Sequence, residues 1–425
     1  MSGFRCRLIL CLFLSAGALA GCASVEPHMM PTPVVLKDPR LDFAPSVQPG
    51  LRSTRLPVFY ATTRAPAAPG EPGHYTNDVG DGMTLGVAQV RLGEPGWTWE
   101  ELIASDRAST IEQVRAGAVE RVEESGKAGE TGDLGEAERR FLAAIDAQLA
   151  KTANPELVLY VHGYRVTFDE VAVQMGSFAH YLGHGAVVTF QWPTGLNFWN
   201  YLIDCPRAER YIPDIERLIA LLARSRAEKI NVLAYSCGSP LLAAALARLR
   251  ARHPAEGHAQ LAKRYRLGNV IFTASDVDLK TFASDHMPPI LDLAQQLLVY
   301  ASRNDKALGF SSLIAGASRL GKPDIADLSP RELARLAALD PRFHFIDVSD
   351  VRGAHEMGGM EGHGYWYANE WISTDITLSL RHPIPPEKRC LVKQAGTERV
   401  WKFPEDYPQC VAARLLETYP ELRRR

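Results

Sequence analysis

Excess charge is missing from this chain: 47 Lys and Arg face 49 Asp and Glu across 425 residues, a formal charge of −2. There is no basic stripe and no basic low-complexity tail, so a surface built to neutralise nucleic-acid phosphates is not expected. Long apolar runs are missing too. The N-terminal run Leu8 to Leu19 is 12 residues, well short of the about 20 that a membrane-crossing helix needs. Cysteine is scarce, with seven in the chain, and no spacing among them resembles a zinc site. No metal and no other cofactor is implied. No internal repeat is visible, which argues against a solenoid. What remains is 46% apolar and 23% charged, the composition of a soluble globular protein.

The first residues depart from that pattern. MSGFRCRLILCLFLSAGALAGC places Arg5 and Arg7 before the apolar run and small residues after it, the layout of a secretory signal. A plain signal or an apolar N-terminal helix would look broadly similar. Leu19-Ala20-Gly21-Cys22, however, resembles the lipobox of bacterial lipoproteins. That resemblance implies cleavage before Cys22 and lipidation of its thiol, and hence a membrane partner through the N-terminal lipid. Ala23 instead of Asp resembles the outer-membrane sorting pattern, implying a periplasm-facing anchor in the cell envelope. The expected division is a signal peptide at 1–21 and a lipidated Cys22 with a Pro-rich tether at 22–55. A main domain at 56–385 and a C-terminal extension at 386–425 would follow.

Export permits disulfides. Cys390 with Cys410 would staple the tail. Cys205 with Cys237 is a weaker pairing, since spacing does not give connectivity.

LPVFYATTR (56–64) and GMTLGVAQVRL (82–92) read as strands, and the Glu-rich stretch 99–133 as a helix plus an exposed loop. From residue 156 a regular rhythm begins. ELVLYVHGY, AVVTFQWP, KINVLAYS, NVIFTASD, QLLVYASRND and FHFIDVSD are apolar, β-branched runs, and most are separated by helical patterns such as 168–182, 207–225 and 238–250. Doubly buried strands alternating with helices specify an α/β domain with a mostly parallel, doubly wound sheet. Thr167 and Glu170 form a capping box for the first of these helices.

In such a sheet, functional groups gather at the carboxyl ends of the strands. Read in chain order, those ends offer Ser236, then acids, then a histidine-bearing loop, which is the Ser–acid–His order of the α/β-hydrolases. In INVLAYSCGSPLL the strand breaks at Tyr235-Ser236-Cys237-Gly238. A nucleophile elbow strains its central residue and needs small neighbours two places to each side; Ala234 and Gly238 meet that need around Ser236. Centring the motif on Cys237 would put Tyr235 in a position too tight for it. The bland alternative is that Ser236 caps the following helix.

Asp305 is the preferred acid from its place in the order, with Asp276 and Asp278 as rivals; its bland readings are a helix cap or a partner for Arg303 or Lys306. His355 and His363 are the two candidate bases. His355, Glu356, Glu361 and His363 could also suggest a metal site, but Gly358 and Gly359 spoil any helical pairing of His with Glu. The backbone N–H groups of Cys237 and Tyr164 are the candidate oxyanion donors. Trp192, Phe198, Trp199, Tyr201, Trp366 and Tyr367 either line an acyl pocket or serve as core and rim aromatics.

VFYATTR, YVHGYRVTFDE, FQWPTG, VLAYSCGSPLL, FTASDVD, YASRNDKAL and GHGYW, in consistent order over roughly 56–380, resemble a family of bacterial α/β-hydrolase proteins of unknown function. The resemblance implies a hydrolase fold and a Ser236, Asp305, His363 triad, with GHGYW favouring His363 over His355. Cys237 departs from the family's usual elbow, although that position contributes its backbone. The expected activity is a lipid-anchored serine hydrolase cleaving an ester or related acyl bond of a small-molecule or lipid substrate through an acyl-enzyme. Amidase or peptidase activity is one alternative, because triad chemistry is shared. A non-catalytic envelope lipoprotein that keeps the fold for binding is the other.

Overall fold

The computed structural model describes residues 27–129, 134–197, 200–324, 340–354, 362–382, 384–394 and 399–424. The expected signal peptide and the lipidation position Cys22 therefore lie outside the described residues.

The strands are β1 (Arg55–Pro66), β2 (Tyr75–Leu92), β3 (Gly117–Lys127), β4 (Glu156–Val161), β5 (Ala186–Gln191), β6 (Lys229–Tyr235), β7 (Leu267–Thr273), β8 (Ala294–Ala301), β9 (Phe343–Asp347), β10 (Val392–Lys393) and β11 (Val400–Lys402). They form one sheet in the order β10-β11-β9-β8-β7-β6-β4-β5-β1-β2-β3. Pairing is parallel from β11 through β9, β8, β7, β6, β4 and β5 to β1, and antiparallel at the two edges. Every residue of β5 and β7 is buried, as expected for strands covered on both faces.

The helices used below are α1 (Trp99–Ala108), α2 (Glu136–Leu149), α3 (Phe168–Leu182), α4 (Tyr201–Arg207), α5 (Ile212–Leu222), α6 (Gly238–Ala251), α7 (Lys306–Ala315), α8 (Glu370–Arg381) and α9 (Tyr407–Thr418). Two apolar cores lie on opposite faces of the sheet. One holds Phe141, Ile215, Leu218 and Leu242 from α2, α5 and α6; the other holds Val171, Phe178, Ile372 and Leu415 from α3, α8 and α9. The capping box of Thr167 and Glu170 opens α3 as its sequence specifies.

Strand order fixes where a site can form. The chain leaves β4 for β5 on one side, then crosses back so that β6 pairs with the other edge of β4. The loops after β4 and β6 therefore diverge and open a crevice at the carboxyl end of the sheet.

Three expectations are corrected here. Residues 99–133 contain α1 and also β3, which pairs with β2; its low apolar content reflects an edge strand with most of its residues exposed or half-exposed. From residue 27 onward the Pro-rich stretch is not an extended tether. Met29, Met30, Val35, Leu41 and Phe43 are buried in the second core, so this stretch belongs to the folded body. The C-terminal stretch is no appendage either: β10 and β11 extend the main sheet and α9 packs on the second core. Its disulfide is Cys390–Cys410, with a Cα separation of 6.0 Å.

Candidate active site

The polypeptide turns sharply out of β6 at Ser236, whose φ is +51°. For an L-residue this left-handed conformation costs about 1–2 kcal/mol and turns the side chain out of the strand-to-helix bend. Its neighbour Gly238 must be small. A Cβ at Gly238 would lie 2.4 Å from the carbonyl oxygen of His162 and 2.7 Å from that of Val161, so α6 could not start so close to β4 with any larger residue. Ser236 does not cap α6; Cys237 occupies the N-cap position and makes no side-chain cap bond.

Instead, Ser236 Oγ lies 2.8 Å from His363 Nε2. His363 Nδ1 lies 2.8 Å from Asp305 Oδ2. Asp305 is fully buried and accepts the proton on Nδ1, which leaves Nε2 free to accept from the serine hydroxyl. Burial alone would push the His363 pKa down, but the adjacent Asp305 carboxylate outweighs it and the net shift is upward, with a smaller contribution from Asp276. His363 is held in place by the residues that follow it. Tyr365 is buried and its hydroxyl donates to the Tyr300 carbonyl at 2.7 Å, while accepting from the Ala274 N–H at 2.6 Å.

The loop after β4 forms the other side of the crevice. A Cβ at Gly163 would lie 2.9 Å from Ser236 Cβ, which brings the Gly163-Tyr164 backbone against the serine. Neither the Tyr164 N–H nor the Cys237 N–H has an acceptor among the described residues. The His162 ring is wholly structural. Its Nδ1 donates to the Gly163 carbonyl at 2.6 Å, its Nε2 accepts from the Trp192 N–H at 3.1 Å, and it stacks on Trp192. Burial, aided by the nearby Arg64 cation, drives its pKa far down and keeps it neutral.

Of the rival acids, Asp276 lies beside the elbow but does not bind the imidazole. Its carboxylate accepts from Tyr201 Oη at 2.5 Å and Ser311 Oγ at 2.6 Å. Asp278 caps a short helical turn by accepting from the Thr281 N–H at 2.8 Å. His355, Phe198 and Trp199 lie outside the described residues. Among the other aromatics, Trp192 and Trp366 are fully buried; Trp366 packs against Tyr160 and Phe178, so both belong to the core and not to a pocket wall. Tyr367 sits edge-on against Tyr235. Tyr201 reaches toward the elbow with its hydroxyl, through Asp276.

One feature escaped the reading of the sequence. Arg64, near the end of β1, is 1% exposed. It donates to the Val166 carbonyl at 2.8 Å and to Asn77, pinning the loop that carries Tyr164; burial brings its pKa down to about 9. Its sequence setting, after Thr62 and Thr63 near a strand end, carries no signal of this burial. The weaker of the two expected pairings, Cys205 with Cys237, is also bonded, with a Cα separation of 5.8 Å, and fastens α4 to the residue after Ser236.

The model of the family "Alpha/beta hydrolase of unknown function (DUF900)" matches residues 137–378, and the chain belongs to that family. The matched span includes β4 to β9, Ser236, Asp305 and His363. Among curated proteins, none matches the chain significantly.

Proposed function

Starting from a chain that is an α/β hydrolase, we propose that it is a serine hydrolase cleaving an ester or related acyl bond. Ser236 is the nucleophile, His363 the general base and then acid, and Asp305 the group that fixes the imidazole tautomer. The unbroken chain of contacts from Ser236 Oγ through His363 to Asp305, at 2.8 Å for each step, carries this reading.

In the proposed cycle His363 Nε2 takes the serine proton as Oγ attacks the substrate carbonyl carbon. The negative charge that develops on the carbonyl oxygen is met by the N–H groups of Cys237 and Tyr164. His363 then protonates the leaving alcohol, and the acyl group stays on Ser236 as an ester. Water, deprotonated by the same imidazole, releases the acid and restores the serine.

The proposal includes its place in the cell. The signal-like N-terminus, the Leu-Ala-Gly-Cys match and two disulfides support an exported protein anchored through lipid on Cys22, facing the periplasm. A Cys22→Ala chain that still partitions with membranes would remove the anchor from the proposal.

The first test is labelling of the purified protein by a fluorophosphonate probe, beside Ser236→Ala. Labelling confined to the wild type establishes an activated serine. Absence of labelling in the folded wild type would favour a binding protein. Parallel turnover of matched esters and anilides then separates esterase from amidase.

A further inference from the structure

The segment that includes Gly195, Asn197 and α4 is fastened to the elbow at three points. Cys205 is bonded to Cys237, the residue after Ser236. Tyr201 Oη donates to the Asp276 carboxylate at 2.5 Å, and the Asp276 N–H in turn donates to the Ser236 carbonyl at 3.4 Å. The Tyr201 ring packs edge-on against Tyr164, with centroids 5.8 Å apart, and Tyr164 Oη donates to the Asn197 carbonyl. Every anchor is a neighbour of Ser236 or one of the proposed oxyanion residues.

Beyond these anchors, Asp204 accepts from the Gly195 N–H at 2.8 Å, and α4 runs on into the turn Ala208–Tyr211, whose Ala208 and Tyr211 are buried. Its seven residues include no buried side chain, and Pro206 lies inside it. Leu202 and Ile203 are 43% and 47% exposed. So short a helix is marginal without tertiary packing, and here that packing comes from the half-buried Tyr201 and Cys205 against the first core. The disulfide is its covalent tie to the elbow.

We propose that the Cys205–Cys237 disulfide is a redox-sensitive latch that builds one wall of the site. Oxidised, it holds α4 beside Ser236, where the part of the substrate remote from the reacting carbonyl is bound. Reduced, it frees that wall and weakens substrate binding while leaving the Ser236, His363 and Asp305 contacts in place. Cys205 is then a positioning residue. This rests on the serine-hydrolase reading above.

Reduction follows thiol–disulfide exchange with a dithiol. Cys205 is half-buried and Cys237 is 1% exposed, so the attacking thiolate reaches the Cys205 sulfur. The bond between Cys205 and Cys237 breaks, a mixed disulfide forms on Cys205, and Cys237 leaves as a thiolate at the N-terminus of α6, 3.7 Å from the Asp276 carboxylate, and is then protonated. The second thiolate of the dithiol displaces Cys205. The dithiol ends as a disulfide, having given two electrons, and each cysteine sulfur takes up one proton.

The test uses full-length protein carrying Cys390→Ser and Cys410→Ser, so that this disulfide alone responds. Samples are kept oxidised, reduced with dithiothreitol, or reduced and reoxidised, and a gain of two maleimide adducts on reduction confirms the opening. Tryptic cleavage at Arg207 or Arg210 reads release of the wall independently of any activity, and is expected to speed up about ten-fold or more on reduction. With acetyl and octanoyl p-nitrophenyl esters, KM for the longer ester is expected to rise about five-fold or more while kcat changes less than about two-fold, the pattern of lost uniform binding. Cys205→Ser should behave as reduced protein with or without dithiothreitol; if it does not fold, reduced and reoxidised wild-type latch carries the same comparison. Unchanged proteolysis and KM would overturn the latch, as would a fall in kcat at constant KM, which would make the disulfide a support of the elbow. Oxidised protein that neither labels with fluorophosphonate nor turns over esters would sink the hydrolase reading; labelling without a redox response would sink the latch alone.

Discussion

Asp305 binds His363 with one carboxylate oxygen and caps a helix with the other. Oδ2 is 2.8 Å from His363 Nδ1, and Oδ1 accepts the Leu308 N–H at 2.9 Å, at the start of α7. The capping role that was weighed against the acid role in the sequence is therefore fulfilled together with it. A carboxylate fixed by a helix N-terminus cannot rotate away from the imidazole, so the cap is what orients the acid.

That arrangement sets a pH dependence. As the proposed base, His363 can take a proton only when neutral, and its pKa lies above the ordinary 6.5 because of Asp305. The kcat/KM profile is expected to fall on the acid side with a midpoint above 6.5. Asp305→Asn removes the charge that raises this pKa, so the midpoint should move to lower pH. The rate at the plateau should drop by up to about 10⁴-fold because the tautomer is no longer fixed. A pH–rate series on both proteins checks the direction; a midpoint that rises in the variant would contradict the assignment.

Gly163→Ala tests the packing of the crevice. The new methyl would sit 2.7 Å from Tyr235 Cδ1 and 2.9 Å from Ser236 Cβ, forcing the loop that carries Tyr164 away from the serine. Loss of one oxyanion donor costs about 10²–10³ in kcat, and a loss of that order is expected, together with an overpacking cost of about 1–3 kcal/mol in stability. Wild-type turnover in the variant would remove Tyr164 from the oxyanion site.

Arg64→Met should weaken the fold and the loop together. The guanidinium is buried and serves the Val166 carbonyl and Asn77. Leaving such buried partners unsatisfied costs about 1–3 kcal/mol, to be read from the urea midpoint. Fluorophosphonate labelling should slow as well, because the loop behind Tyr164 loses its pin. A variant as stable and as fast as wild type would show that Arg64 does neither.

Removing the second disulfide should affect stability without affecting chemistry. Cys390 and Cys410 are 20 residues apart, and closing a loop of this length stabilises by about 3 kcal/mol in the chain-entropy account. Cys390→Ser with Cys410→Ser is expected to lower the denaturation midpoint accordingly, with ester kinetics unchanged.

Much of this protein is determined by sequence periodicity and local chemistry alone. The apolar runs after residue 156 are strands because doubly buried parallel strands must be apolar throughout, and the capping box at Thr167 opens α3 by satisfying its own backbone. Ser236 was legible as an elbow because Ala234 and Gly238 are the small residues that such a turn demands. The choice of Asp305 over Asp276 followed from strand order.

Tertiary structure decided what depends on pairs distant in sequence. β3 is polar enough to pass for a loop, and only its register against β2 makes it a strand. The Pro-rich segment lacks a periodicity of its own, yet Met29, Met30 and Phe43 are buried because the second core receives them. Trp192 and Trp366 were ambiguous in the sequence, since an aromatic near a strand end can face either a pocket or a core. The attachment of Cys205 to Cys237 and of Tyr201 to Asp276 brings together residues 32 and 75 positions apart. Spacing along a chain carries no information about such contacts; they arise only when the crossover from β5 to β6 folds α4 back over the elbow.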